Sequence, residues 1–199
     1  MGVIDIVGCG PGGREHLTFG AWEAIRKAQV RIGSERILSG FRKGSRLHLV
    51  SVRSLEVLAH LREHADRRCA VLVSGDPGVC SLARPLVEAL GLEKVRIHPG
   101  ISSLQLAAAR LGMDWGGARL VSHHVAENRG ENPLVAVLGG GPGAQERTAQ
   151  LRARLGDPPA WLCRNLSLPD EEVRHLEPGE TAAMDGLSVL VLHPAGRRT

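Results

Sequence analysis

Apolar residues run in short blocks along the first half of the chain, and the blocks alternate with stretches whose apolar positions recur at helical spacing. Val3 to Val7, Val30 to Ile32, Ala70 to Val73 and Val95 to His98 read as strands. Helices are expected from Thr18 to Ala28, Ser54 to Ala65, Leu82 to Leu90 and Ser102 to Leu111. Strands and helices that alternate in this way build parallel βαβ units. The pattern then changes. Gly112, Gly116 and Gly117 interrupt the chain around Trp115, and turn signals multiply at Pro158-Pro159, Pro169-Asp170 and Pro178-Gly179. Strands are expected at Arg119 to Ser122, Leu134 to Leu138, Ala160 to Cys163, Val173 to Leu176 and Ser188 to Leu192, with one clear helix from Ala144 to Leu155. The expectation is an α/β chain of two domains, 1–112 around a parallel sheet and 113–199 around a mixed one.

The two halves echo each other. VIDIVGCGPG (Val3 to Gly12) and LVAVLGGGPG (Leu134 to Gly143) are each an apolar strand closed by a Gly-x-Gly-Pro-Gly turn. Such a turn carries few side chains, so a ligand can approach its backbone closely.

Composition narrows the class. Tyr is absent and aromatics are 3% of the 199 residues, so Val, Leu, Ile and Ala must fill the core. The net charge is +4, and Lys27, Lys43 and Lys94 are the only lysines among 25 basic residues. Arginine presents a planar fork that suits carboxylates or phosphates, although solvated surface arginines are the plainer reading. The arginines form no stripe interleaved with aromatics, which argues against nucleic acid. Cys9, Cys69, Cys80 and Cys163 make no CxxC pair, which argues against a zinc ribbon or redox motif and fits a reducing cytoplasm. Asp5 interrupts the N-terminal apolar run and no basic region precedes it, so the segment reads as a strand, and Ile6 breaks the myristoylation pattern. No apolar stretch approaches the ~18 residues of a membrane span.

Three loops carry candidate chemistry. Gly8, Gly10 and Gly13 spell GxGxxG after a strand, the dinucleotide fingerprint. That fingerprint needs a helix opening inside the glycines. Here Pro11 follows the second glycine and the best helix start is Thr18, well downstream. Glu35 lies at the distance of a ribose carboxylate, but Ser34-Glu35-Arg36 reads more simply as a helix cap. The second loop, Ser74-Gly75-Asp76-Pro77-Gly78, ends the strand at Val73. Pro77 keeps Asp76 out of the helical region, which is expected to leave carbonyls and amides free to read a ligand; the alternative is an ordinary Asp-Pro-Gly turn with Asp76 as a local cap. The third, His98-Pro99-Gly100-Ile101-Ser102-Ser103, opens a helix with two hydroxyls. In an open α/β sheet such strand ends are where ligands sit.

His60-Leu61-Arg62-Glu63-His64 matches the HxxEH zinc pattern. The buried stripe expected from Val57, Leu58, Leu61 and Ala65 places both histidines at its border, so no metal is assigned.

Taken together, these loops resemble the CbiE-type precorrin methyltransferases of the tetrapyrrole methyltransferase superfamily. The resemblance is carried by Gly8-Cys9-Gly10-Pro11-Gly12 with Leu17-Thr18, by Ser74 to Gly78, by Pro99 to Gly112 with Trp115, and by Asn165-Leu166 with Pro169-Asp170-Glu171. It runs over nearly the whole chain. It implies two α/β domains with S-adenosylmethionine in the cleft between them, usually in a homodimer, and methylation at carbon 5 of a precorrin or cobalt-precorrin. By position, Pro11, Gly75, Asp76, Val79, Ser102 and Ser103 would line the cofactor pocket, with Gly140, Asn165 and Leu166 closing it, and His124 would touch substrate. Cys80 and Ser81 stand where members tend to have an aromatic residue and a glycine, and Ser122-His123-His124-Val125 replaces a usual Ser-Leu-His-Gly. Methyl transfer from a sulfonium releases a neutral thioether and needs no acid, so no catalytic base is singled out. The resemblance also implies a separate partner protein for the decarboxylating methylation at carbon 15, since no further glycine loop remains before Thr199. Two other classes stay open on the residues alone: a nicotinamide-dependent oxidoreductase, from GxGxxG, and a non-enzymatic tetrapyrrole carrier.

Overall fold

A computed structural model of the chain describes residues 2–42, 46–116, 118–122, 135–139, 143–181 and 183–192. The chain divides into two compact units, Met1–Ser102 and Ser103–Thr199.

The first unit is built on a parallel sheet of β1 (Ile4–Gly8), β2 (Val30–Gly33), β3 (Leu47–Val50), β4 (Cys69–Val73) and β5 (Val95–His98), in the order β3-β2-β4-β1-β5. Its helices are α1 (Phe19–Lys27), α2 (Glu35–Ser39), α3 (Ser54–Glu63) and α4 (Ala83–Leu90). Alternation along β4 shows how they are laid. Ala70 and Leu72 point into a core with Ala21, Ala24 and Ile25 of α1 and Ile37 and Leu38 of α2. Val71 and Val73 point the other way, into a core with Val57, Leu58 and Leu61 of α3 and Ala83 and Leu86 of α4. A sheet buried on both faces needs strands that are apolar throughout, and every residue of β4 is buried. The sheet is thus doubly wound. The sequence reading missed β3, an edge strand whose residues are only partly buried.

The second unit carries a mixed sheet of β6 (Arg119–Ser122), β7 (Val135–Gly139), β8 (Ala160–Arg164), β9 (Glu172–Leu176) and β10 (Ser188–Leu192), ordered β6-β7-β10-β8-β9. Only the β6–β7 pair is parallel. Helix α6 (Ala144–Arg154) covers one face, with Leu151 against Leu162, Leu190 and Leu192. Helix α5 (Ser103–Leu111) covers the other, with Leu104, Leu106 and Ala107 against Ala136, Cys163, Val189 and Val191. The division after Ser102 therefore falls ahead of the 112/113 boundary read from the glycines. The apolar face of α5 packs on the second sheet, and packing rather than glycine placement decides its membership.

Two arginines meet a fate that neither sequence reading foresaw. Arg31 on β2 is 5% exposed and donates to the carbonyls of Ile25 and Phe41. Arg152 on α6 is 4% exposed and donates to the carbonyls of Pro158, Glu177 and Glu180, with Asp157 as its counter-ion. Each ties backbone carbonyls of neighbouring segments together inside its own unit.

Candidate functional site

The direction of the crossovers singles out one place on the first sheet. After β1 the chain passes to α1 on one face, and after β4 it passes to α4 on the opposite face. Since β1 and β4 are neighbours, their carboxyl ends form the crevice where open α/β sheets take ligands.

Here the first two glycine loops meet. Gly10 and Gly75 form an antiparallel bridge, with each amide donating to the other's carbonyl, at 3.3 Å from Gly10 and 2.8 Å from Gly75. Both adopt left-handed backbone, φ 72° and 66°, which an L side chain resists and glycine does not. Pro11 is buried directly beside the bridge. The third loop is clamped on by Asp76, whose Oδ1 accepts from the amide of Gly78 at 2.7 Å and whose Oδ2 accepts from the amide of Gly100 at 3.0 Å. A Cβ on Gly8 would stand 2.7 Å from both the Gly100 nitrogen and Pro77 Cδ, so the loops are in contact. Thr18 closes the set. Its Oγ1 accepts from the amide of Ala21 at 3.1 Å, capping α1, and donates to the Pro99 carbonyl at 3.3 Å.

This geometry corrects one expectation. The amides of Gly75, Gly78 and Val79 are not free to read a ligand, because Gly10, the Asp76 carboxylate and the Asp76 carbonyl already accept from them. Asp76 works as a staple, and its negative charge stays beside the crevice. The helix, conversely, begins where expected: α1 starts at Phe19, after Thr18, and not inside GxGxxG.

Of the other assigned residues, Val79 is half-buried and Ser102 is buried ahead of α5, while Ser103 is the first residue of that helix. Cys80 has left-handed backbone, φ 49°, where family members tend to have an aromatic residue. Ser81 donates to the Pro77 carbonyl and accepts from the Ala83 amide, so it helps shape this turn. In the second unit Asn165 is left-handed, φ 49°, and its Nδ2 donates to Asp170 Oδ2 at 2.7 Å. Leu166 is 3% exposed, its side chain in the α5 core. Glu171 accepts from the Ser167 amide and from Arg110 of α5, which gives Asp170 and Glu171 a fold-holding role. Gly140 and His124 lie outside the described residues.

On α3, His60 turns to Glu63 at 3.8 Å while Val57, Leu58 and Leu61 are buried. Among the described residues no cluster of His, Cys, Asp and Glu is placed to hold a metal. In the first unit a hollow of about 820 Å³ lies among Arg26, Arg46, Arg67 and Arg68, none of them in the loops after β1, β4 and β5, and in the second unit one of about 530 Å³ runs along α6. No helix among the described residues is long and apolar enough to cross a membrane.

A doubly wound parallel sheet with side-chain-poor loops at its crevice, followed by a mixed sheet, defines the class. The family model for tetrapyrrole (corrin/porphyrin) methylases matches residues 3–181, and the chain belongs to that family. A cobalt-precorrin-7 C(5)-methyltransferase of Salmonella typhimurium is 35% identical over 123 residues, which are 61% of this chain and 61% of that protein. The match thus spans about three fifths of that relative's length. A probable cobalt-precorrin-7 C(5)-methyltransferase of Methanocaldococcus jannaschii is 29% identical over 181 residues, 88% of this chain and 83% of that one. Among solved structures, the precorrin-6Y methylase of Archaeoglobus fulgidus superposes with a TM-score of 0.75 at 27% identity, covering 98% and 99% of the two chains. A uroporphyrin-III C-methyltransferase of Thermus thermophilus, complexed with S-adenosyl homocysteine, gives a TM-score of 0.74 at 25% identity over 96% and 92%. The nicotinamide and carrier readings find no support.

Proposed function

We propose that the chain transfers a methyl group from S-adenosylmethionine to carbon 5 of a precorrin, with cobalt-precorrin-7 as the acceptor. The observation that carries this is the family match over residues 3–181, joined to a crevice built by the loops that bear the family's motifs. In the proposed reaction the methyl–sulfur bond breaks with its electron pair left on sulfur, carbon 5 bonds the methyl with a π electron pair of the macrocycle, and the ring then releases a proton to solvent.

The residues fit that group. The loops after β1, β4 and β5 offer backbone surface rather than side chains, and Pro11, Gly75, Asp76, Val79 and Ser102 are the residues we assign to holding the donor. Asp76 places an anion beside the crevice, which favours a cationic sulfonium over a neutral or anionic ligand. Catalysis then comes from orientation. On the second unit, Asn165 and Leu166 would meet a ligand through their backbone, since the Leu166 side chain is committed to the core; Ser103, Gly140 and His124 are assigned from the resemblance alone.

We further propose a homodimer acting in the cytoplasm, with the decarboxylating methylation at carbon 15 carried out by a separate protein. The names of the curated relatives, which specify the C(5) reaction alone, support only the last of these.

Adenosyl-homocysteine binding and product mass test the proposal together. S-adenosyl homocysteine should stabilise the protein by about 2.7 kcal/mol at a hundredfold excess over Kd, and NADH should not. The product should carry one added methyl and keep all its carboxyls. Stabilisation by NADH alone, or a product with two methyls and a lost carboxyl, would contradict the assignment.

A further inference from the structure

Arg36, on α2, reaches the mouth of the β1–β4 crevice. Its Nη2 donates to Oγ of Ser74 at 3.0 Å, and Ser74 opens the loop after β4. Its guanidinium also interacts electrostatically with Cys9, the first residue after β1, whose amide is bonded to the Val73 carbonyl. One cation thus bonds the first residue of the loop after β4 and lies within electrostatic range of the first residue of the loop after β1.

The charge is not neutralised there. Several arginines of the described surface pair with an acid, among them Arg26 with Glu23, Arg42 with Glu35, Arg84 with Glu88, Arg110 with Glu171 and Arg164 with Glu172. Among the described residues Arg36 forms no ion pair. The ionisable group that senses it, Cys9, has its thiol pushed up to about 12 by burial, so it stays neutral at pH 7. Arg36 is exposed as a residue, and the protein packed beside its guanidinium lowers that group from its ordinary value by partial desolvation. Partial desolvation of an unpaired guanidinium strengthens any charge-assisted bond it forms. Its one bond to a hydroxyl leaves most of its donors for a planar oxyanion.

We propose that Arg36 is the specificity residue that receives a carboxylate arm of the macrocyclic substrate at the crevice mouth, with Ser74 orienting its guanidinium. This rests on the methyltransferase reading above, under which the acceptor is a polycarboxylate. The interaction selects an acidic tetrapyrrole over a neutral one and sets one edge of the ring against the loops. Arg36 takes no part in holding the donor.

Two affinities measured on the purified protein test this: S-adenosyl homocysteine by calorimetry, and cobalt-precorrin-7 by its visible absorption with S-adenosyl homocysteine present. Arg36→Gln should raise the macrocycle Kd about ten- to hundredfold, the scale of one charge-assisted bond. It should leave the S-adenosyl homocysteine Kd within about twofold. Arg36→Lys keeps the charge without the fork and should fall between wild type and Gln. Ser74→Ala should weaken macrocycle binding by no more than about threefold. The inference is overturned if Arg36→Gln leaves the macrocycle Kd unchanged, or if it abolishes S-adenosyl homocysteine binding as well. It is equally overturned if Ser74→Ala reproduces the full loss, since Arg36 would then merely hold the loop. A wild-type protein that binds no S-adenosyl homocysteine overturns the methyltransferase reading itself, and this inference with it.

Discussion

At the scale of single residues, contact between loops governs the crevice more than any reactive side chain does. Gly100 illustrates it. A Cβ there would lie 2.8 Å from the Gly8 carbonyl carbon, with the Gly75 carbonyl oxygen closer still, and both are backbone atoms that cannot rotate aside. Gly100→Ala should therefore force the three loops apart, at a cost of about 1–3 kcal/mol typical of overpacking. Lower thermal stability together with weakened S-adenosyl homocysteine binding is the expected result; a variant matching wild type in both would show that the loops separate freely. Asp76 marks the limit of reading function from residue type. In sequence an acid between glycine and proline at a strand end reads as ligand-facing, yet both its oxygens accept from backbone amides, one of them 24 positions away. Nothing local in the sequence announces that partner.

At the scale of elements, caps and periodicity are legible in the sequence, and one edge strand is not. Thr18 was readable as the start of α1 because a hydroxyl precedes an apolar helical pattern, and its side chain does cap the helix. The same hydroxyl's bond to the Pro99 carbonyl was not readable, since it joins residues 81 positions apart. Thr18→Ala removes both and should cost about 1 kcal/mol or somewhat more, as N-cap losses do, whereas Thr18→Ser should be close to neutral. Urea denaturation of the three proteins checks this, and equal midpoints would mean the cap contributes nothing. Strand β3 escaped notice because Leu47 and Leu49 alternate with His48 and Val50 over only four residues at a sheet edge. Helix α5 was found, but its unit was misjudged from the glycines after it. Leu104, Leu106 and Ala107 show an ordinary apolar face, and a face does not say which sheet it will cover.

At the scale of the whole molecule, the four cysteines report on how completely both units bury their interiors. Cys9, Cys69 and Cys163 are buried and Cys80 is exposed. Burial raises the Cys69 thiol, and pushes Cys9 to about 12 and Cys163 to about 11. Raised in the folded state, these groups contribute stability that is intact below the unfolded thiol value, near 8.5, and is lost as pH rises, because the unfolded chain releases those protons first. Native protein at pH 8 should react with a thiol reagent at Cys80 alone, and denatured protein at all four; stability should decline above about pH 9. Fast native labelling of Cys9 or Cys163 would contradict the packing described here.

The strand order also dictates when the crevice can exist. β1 is the first strand of the chain, yet its neighbours are β4 and β5, with Asp5 beside Ala70 and Ile4 beside Val95. On a growing chain it must wait, unpaired, while β2 and β3 are made, because the segments that flank it have not yet left the ribosome. Closing such long loops costs entropy before any contact repays it. The glycine turn at the end of β1, synthesised before the strands that flank it, is thus among the last to acquire its final surroundings, and an incomplete nascent chain holds the motif without the crevice.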